Sequence, residues 1–153
     1  PSIMQGYLNL PEETEKVFVD LPDPTGQTRR FFRTGDIGQF DEDGFLYITG
    51  RKKEMMIIGG ENVFPREIED ILVRQPGVQA AAVIGMQDGS RGEVAIAFVE
   101  MLEDAAFDEN ALKSACRDQL AGYKVPRQIY HVFELPRNPT GKILRRELKV
   151  PEG

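Results

Sequence analysis

Apolar and polar positions change period along the chain. Ile68, Ile71 and Leu72 fall on one face at helical spacing, and Pro65 suits the first position of that helix. Pro76-Gly77 stops it. Val78–Met86 and Val94–Val99 are apolar runs of strand length, separated by the loop Gln87–Glu93. Asp108 suits the N-cap of a second helix running to about Leu120, with Leu112, Ala115, Cys116 and Leu120 facing inward. Gln128–Glu134 reads as a third strand, followed by a Pro-Gly loop and a short terminal helix from about Ile143. Strands alternating with helices after residue 54 predict a small α/β (α+β) layer, a three-stranded sheet flanked by helices.

The earlier part of the chain reads differently. Pro1, Pro11, Pro22 and Pro24 break the opening stretch, which carries a strand candidate at Lys16–Leu21. Asp36–Phe40 and Phe45–Gly50 flank the turn sequence Asp41-Glu42-Asp43-Gly44 and predict a hairpin. Met55–Ile58 is a short apolar run ending at Gly59-Gly60, a strand and a turn. The first fifty residues are therefore expected to be β-rich and separate from the α/β layer.

Composition narrows the classes. With 41% apolar and 29% charged residues, the 153-residue chain has the make-up of a globular protein. One cysteine (Cys116) excludes an intramolecular disulfide framework, and with one histidine (His131) no metal centre is expected. No apolar run approaches the roughly 18–20 residues of a membrane span, and no signal peptide opens the chain. A soluble, cytoplasmic protein is expected. His131 reads as a core or edge residue of its strand, and Cys116 as a buried small hydrophobe.

Charge is uneven. The whole chain has 19 basic and 25 acidic side chains, but the first fifty residues hold four basic against nine acidic groups. Residues 124–149 reverse this, with seven basic groups (Lys124, Arg127, Arg137, Lys142, Arg145, Arg146, Lys149) against Glu134 and Glu147. A basic tail on an acidic protein suggests an anionic ligand held locally, not a nucleic-acid surface. A solvated helix face is the plainer alternative.

Three stretches in order carry more information: Phe32-Arg33-Thr34-Gly35-Asp36, then Gly50-Arg51-Lys52-Lys53-Glu54 with Gly59-Gly60-Glu61-Asn62, then Asn138-Pro139-Thr140-Gly141-Lys142. Together they resemble the C-terminal part of the adenylate-forming acyl-CoA synthetases, the AMP-forming fatty-acid and aryl-acid CoA ligases. Met4-Gln5-Gly6-Tyr7 with Pro11-Glu12-Glu13-Thr14 is similar to the stretch preceding that family's Thr-Gly-Asp motif, so nearly the whole chain takes part. The family's Ser/Thr/Gly-rich phosphate loop and its aromatic-Gly-x-Thr-Glu segment do not occur. The resemblance thus implies that residues 1–50 end a large N-terminal domain, 51–53 form a hinge and 54–153 form the mobile C-terminal domain. A chain of this extent is expected to be inactive alone.

The resemblance also implies chemistry. Such enzymes join a carboxylic acid to the α-phosphate of ATP and then pass the acyl group from AMP to CoA, with magnesium held mainly by the N-terminal domain. Two anions meet in the first step, so a cation between them lowers their repulsion, and a lysine supplies a compact charge on a flexible stem. By resemblance that lysine is Lys142; otherwise it is one more solvated lysine. Asp36 resembles the aspartate that accepts from both ribose hydroxyls, and Arg51 the arginine that contacts the nucleotide. Their alternatives are an ordinary turn aspartate and a hairpin-edge arginine.

Lys53 falls at the family's hinge position, about which the small domain turns between the two half-reactions. Gly59, Gly60, Glu61 and Asn62 then correspond to the face that meets pantetheine, or else form only a tight turn before the Pro65 helix. Tyr123 and Arg127 resemble a CoA-contact segment, the ring to stack on adenine and the guanidinium to meet a phosphate. Val125 departs from relatives that carry a further cation there. Two rivals stand beside the CoA ligase: an adenylating domain that loads a carrier protein, and a non-catalytic binding module of the same fold. Intact Lys142, Asp36 and Arg51 argue against the last.

Overall fold

A computed structural model describes residues 3–89 and 92–151, and the chain divides into two units, Pro1–Asp36 and Ile37–Gly153. In the first, α1 (Pro11–Val17) leads into β1 (Phe18–Pro22), which pairs antiparallel with β2 (Thr28–Phe32). The helix was not expected in a β-rich stretch. Pro11 opens it, Glu12 and Glu13 lie in its first turn and Lys16 in its last, each favourable to the helix dipole. Lys16 and Val17 therefore remain helical, and the strand foreseen from Lys16 begins at Phe18. Phe18 packs its ring 5.5 Å from that of Phe32, and the Arg30 guanidinium lies 4.2 Å from the Phe18 centroid.

Strands β3 (Asp36–Phe40) and β4 (Leu46–Arg51) form the expected hairpin. Its turn is tied by Asp41, whose Oδ1 accepts from the Asp43 and Phe45 amides at 3.0 and 2.8 Å. A single 3-10 turn at Lys52–Glu54 follows, and then a second hairpin of β5 (Met56–Ile58) and β6 (Glu61–Val63). Ile58 pairs with Glu61, so Gly59 and Gly60 are a two-residue loop, with φ of +61° and +86°. Positive φ at both positions is what a type I′ turn demands, and glycine meets it without strain.

The α/β layer follows the predicted order: α2 (Pro65–Leu72), β7 (Val78–Gln87), β8 (Glu93–Met101), α3 (Glu109–Gln119) and β9 (Gln128–Val132). Ser90 and Arg91, within the loop foreseen at Gln87–Glu93, lie outside the described residues. Strand β8 is central, antiparallel to β7 and parallel to β9. As the middle strand it is covered on both faces, which explains its uninterrupted apolar run. Side chains alternate between those faces. Ala95, Ala97 and Val99 join Ile68, Ile71, Leu72, Leu112 and Cys116 on the helix side, while Ile96 and Phe98 join Leu135 on the other.

Asp108 caps α3 as expected, its Oδ1 accepting from the Asn110 and Ala111 amides at 2.9 and 3.1 Å. Leu72 is fully enclosed on the helix side, at 0% exposure. Leu72→Ala is expected to cost about 2–5 kcal/mol, read as a lower urea midpoint by circular dichroism. Phe133→Ala, at a residue 97% exposed, is expected to stay within about 0.5 kcal/mol of the parent.

Among the described residues, the expected terminal helix is absent. From Leu135 to Pro151 the chain is an irregular strap across the second face of the sheet, with a 3-10 turn at Arg145–Glu147. Ile143, Leu148 and Val150 pack on that face, at spacings of five and two that no helical stripe provides. Pro151 also biases Val150 toward extended backbone. A bridge between Arg137 and Ile143 and a 2.7 Å bond from the Leu144 amide to the Pro136 carbonyl fold the strap back on itself. His131, assigned to core or edge, is exposed in β9 with its ring stacked 5.5 Å from that of Phe107.

Candidate functional site

Lys142 lies at the end of the fold in that strap, and Asn138 organises the loop before it. The Asn138 Oδ1 accepts from the Thr140 amide at 3.1 Å, the Thr140 hydroxyl at 2.8 Å and the Lys142 amide at 2.8 Å. The Asn138 amide donates to the Lys142 carbonyl at 2.9 Å, and the Gly141 amide to the Asn138 carbonyl at 2.9 Å. Gly141 has φ +83°, a left-handed conformation that disfavours any residue with a Cβ. The backbone at Lys142 is thus fixed within a five-residue ring of hydrogen bonds, while its side chain is exposed. A long cation on a braced base can reach outward without first ordering the loop beneath it.

Both shoulders of this loop are anchored to the core. Before it, Arg137 Nη1 lies 2.9 Å from Glu100 Oε2 on β8, and that oxygen also accepts from the Leu135 amide at 3.0 Å. Burial alone would raise the Glu100 pKa, but the Leu135 N–H and the Arg137 charge outweigh it and hold the carboxyl below its ordinary range. After the loop, Arg145 Nη2 lies 2.8 Å from Glu69 Oε2 on α2 and 2.9 Å from its Oε1, with Nε at 3.2 Å. Its Nη1 reaches Glu54 Oε2 in the Lys52–Glu54 turn at 3.0 Å. Burial opposes the Arg145 charge, yet bonds to Glu69 and the charges of Glu69 and Glu54 leave its pKa above the ordinary value.

Lys53 and Lys142 line one groove of about 500 Å³, with Glu54, Met56 and Arg145 among its walls. Four of the six residues expected to meet CoA divide between two others. Gly59, Tyr123 and Arg127 border a groove of about 340 Å³, with Val125 in its wall. Asn62 borders another of about 400 Å³ beside Glu67 and Lys124. Gly60 and Glu61 are exposed at the β5–β6 turn and β6, a turn the glycine pair satisfies on geometric grounds alone. Tyr123 is 43% exposed, and the Arg127 guanidinium already pairs with Asp88.

Asp36 begins β3 and is exposed, and its backbone amide donates to the Thr34 hydroxyl oxygen at 3.1 Å. Arg51 ends β4 and is also exposed. The basic tail is less available to a ligand than its composition suggested, because among the described residues five of its seven cations have carboxylate partners. Lys124 bonds Glu67 at 2.6 Å, which raises the lysine pKa, and Arg127, Arg137, Arg145 and Arg146 pair with Asp88, Glu100, Glu54 and Glu69, and Glu147. Cys116 is enclosed on α3, where burial pushes its thiol up to about 11, so it is an inert packing group.

Sequence reasoning missed Arg145, Glu69, Glu54 and the organising role of Asn138. The Asx signal of Asn-Pro-x-Gly was available for Asn138. Nothing local marks Arg145, whose partners lie 76 and 91 positions away. Among the described residues, no cluster of three His, Cys, Asp or Glu side chains could hold a metal ion, and no helix is long and apolar enough to cross a membrane.

Residues 67–142 match the family described as the AMP-binding enzyme C-terminal domain. The chain is 46% identical over 149 residues to a 2-succinylbenzoate–CoA ligase of Geobacillus kaustophilus, covering 97% of this chain and 29% of that protein. It is 44% identical over 149 residues to a long-chain-fatty-acid–CoA ligase of Salmonella typhimurium, with 97% and 25% coverage. The solved structure of an o-succinylbenzoate CoA synthetase from Bacillus subtilis, in complex with its acyl-adenylate intermediate, superposes with a TM-score of 0.83. That match is 34% identical and covers 99% of this chain and 29% of the other. The chain therefore spans between a quarter and a third of the length of these proteins.

Proposed function

We propose, from the premise that this chain belongs to the adenylate-forming ligase family as its C-terminal region, that it serves an ATP-dependent, AMP-forming acid–CoA ligase. The observation that carries the reading is Lys142, an exposed ammonium on a loop whose backbone is fully braced. In the first half-reaction a carboxylate oxygen of the acid attacks the α-phosphorus of ATP, the P–O bond to pyrophosphate breaks, and acyl-adenylate forms. Lys142 is the catalytic residue of that step, its charge facing the oxyanions that crowd around phosphorus. Asp36 accepts from the ribose hydroxyls through two carboxylate oxygens, and Arg51 contacts the nucleotide.

In the second half-reaction the small domain turns about Lys53. A domain of about 100 residues has a radius of gyration near 13 Å, so one changed backbone torsion carries its surface tens of ångströms. Lys142 is withdrawn, and the face bearing Gly59, Gly60, Glu61 and Asn62 meets the pantetheine arm, with Tyr123 and Arg127 toward the nucleotide end of CoA. The thiol attacks the acyl carbon, and AMP leaves. Free CoA as acceptor is supported by relatives named as CoA ligases. Magnesium, by the family resemblance, is held mainly by the N-terminal domain in this reading. By itself the chain is inactive.

The test uses the full-length protein with ATP and a panel of carboxylic acids. Acid-dependent ATP–pyrophosphate exchange without CoA, followed on CoA addition by equal AMP release and loss of free thiol, is the expected result. Release of ADP, or thiol loss only with a phosphopantetheinyl carrier protein, contradicts the CoA-ligase reading.

A further inference from the structure

The geometry points to Arg145 as a positioning residue that locks the Lys142 loop and the Lys52–Glu54 turn into one body. The inference rests on the role proposed above for Lys142. Arg145 follows Lys142 by three residues and makes three contacts to Glu69 and one to Glu54, all within 3.2 Å. Its side chain is 23% exposed, that of Glu69 12% and that of Glu54 30%. Side chains this enclosed hold their geometry far better than surface pairs, which contribute little. Glu69 is itself fixed, because its Oε1 accepts from the Val83 amide on β7 at 2.7 Å.

The chain of contacts is therefore continuous: sheet amide, Glu69, Arg145, Glu54, and the turn that contains Lys53. One guanidinium can do this because its fork presents separate N–H groups to two carboxylates in one plane. On the other shoulder, Arg137 and Glu100 fix the start of the loop to β8. Lys142 is consequently carried by rotation at Lys53 without slack. A lysine stem has several rotatable bonds of its own, so uncertainty in its base would add directly to uncertainty at the ammonium. A displacement of about 1 Å at a reacting group can cost roughly 10²-fold in rate.

The experiment compares Arg145→Gln, Arg145→Lys, Glu54→Gln and Lys142→Ala in the full-length protein, with two readouts. One is the pair of half-rates, acyl-adenylate formation and thioester formation from preformed acyl-adenylate. The other is amide hydrogen exchange across residues 136–144 and across β7–β8. Arg145→Gln is expected to slow adenylate formation about 10–100-fold, the scale of such a misplacement, to leave thioester formation near the parent rate, and to hasten exchange only in 136–144. Arg145→Lys should recover part of the loss. Glu54→Gln leaves the Arg145–Glu69 pair intact and should show the same bias toward the first half-reaction, more weakly.

Parent-like adenylate formation in Arg145→Gln overturns the inference. So does an equal loss in both half-reactions with faster exchange throughout β7–β8, the mark of general loosening. Should Arg145→Gln not fold, Glu54→Gln alone decides, and absence of any bias overturns the link to the hinge turn. Lys142→Ala separates the two claims. If it abolishes adenylate formation and Arg145→Gln does not, only the positioning role falls. If it leaves adenylate formation intact, the role of Lys142 falls and the inference with it.

Discussion

Lys142→Ala is expected to lower acyl-adenylate formation in the full-length enzyme by about 10²–10³-fold, the scale of removing one group aimed at developing negative charge. Thioester formation from preformed acyl-adenylate should remain close to the parent rate. The asymmetry is the informative part. Only the first half-reaction brings a carboxylate against a phosphate, and only there does an ammonium relieve repulsion as the bond forms. The backbone around Lys142 is held by the Asn138 side-chain oxygen and by backbone bonds, none of which uses the Lys142 side chain, so truncating that side chain leaves the loop intact and removes the charge alone. Parallel single-turnover assays of the two half-reactions read the outcome, and equal losses in both would break the division of labour.

Lys53→Pro is expected to separate the half-reactions in another way, by holding one domain orientation. Proline fixes φ near −65° and removes an amide N–H, and it steers the preceding residue away from helical backbone. Lys52 is the first residue of the 3-10 turn at Lys52–Glu54, so the substitution acts on the joint itself. Lys53 is exposed and shows no buried side chain whose loss would unfold the domain. One half-reaction should persist while the other falls on the order of 10²-fold, since groups a whole rotation away are at least as misplaced as those displaced by 1 Å. Retention of both half-rates in that variant would remove Lys53 from the hinge.

The α/β layer was legible in the sequence because periodicity reports burial directly. Ile68, Ile71 and Leu72 at helical spacing, and the continuous run of β8, have one physical reading each. Capping chemistry was equally plain at Asp108. The helix at Pro11–Val17 was hidden because Pro11 was read as a break, although it sits where a helix tolerates it. The terminal strap was mistaken for a helix because charged and apolar residues mix there, and only tertiary packing of Ile143, Leu148 and Val150 decides its shape.

The candidate site divides along the same line. Lys142, its glycine and its turn residues are contiguous, and so could be found as a motif. The grouping of Lys53 with Lys142, and of Gly59 with Tyr123 and Arg127, needed the fold. Charge counting over residues 124–149 pointed to an anionic ligand, yet it could not see that Glu54, Glu67, Glu69, Asp88 and Glu100 approach from elsewhere in the sequence. What remains of that basic excess is concentrated in fewer groups, Lys142 among them.

An oxygen tracer tests the core of the proposal most directly. A carboxylic acid labelled with oxygen-18 in its carboxylate is turned over by the full-length protein with ATP and CoA, and the AMP and pyrophosphate are weighed by mass spectrometry. Attack by the acid on the α-phosphorus predicts one heavy oxygen in each AMP and none in pyrophosphate. Unlabelled AMP alongside product thioester would contradict it.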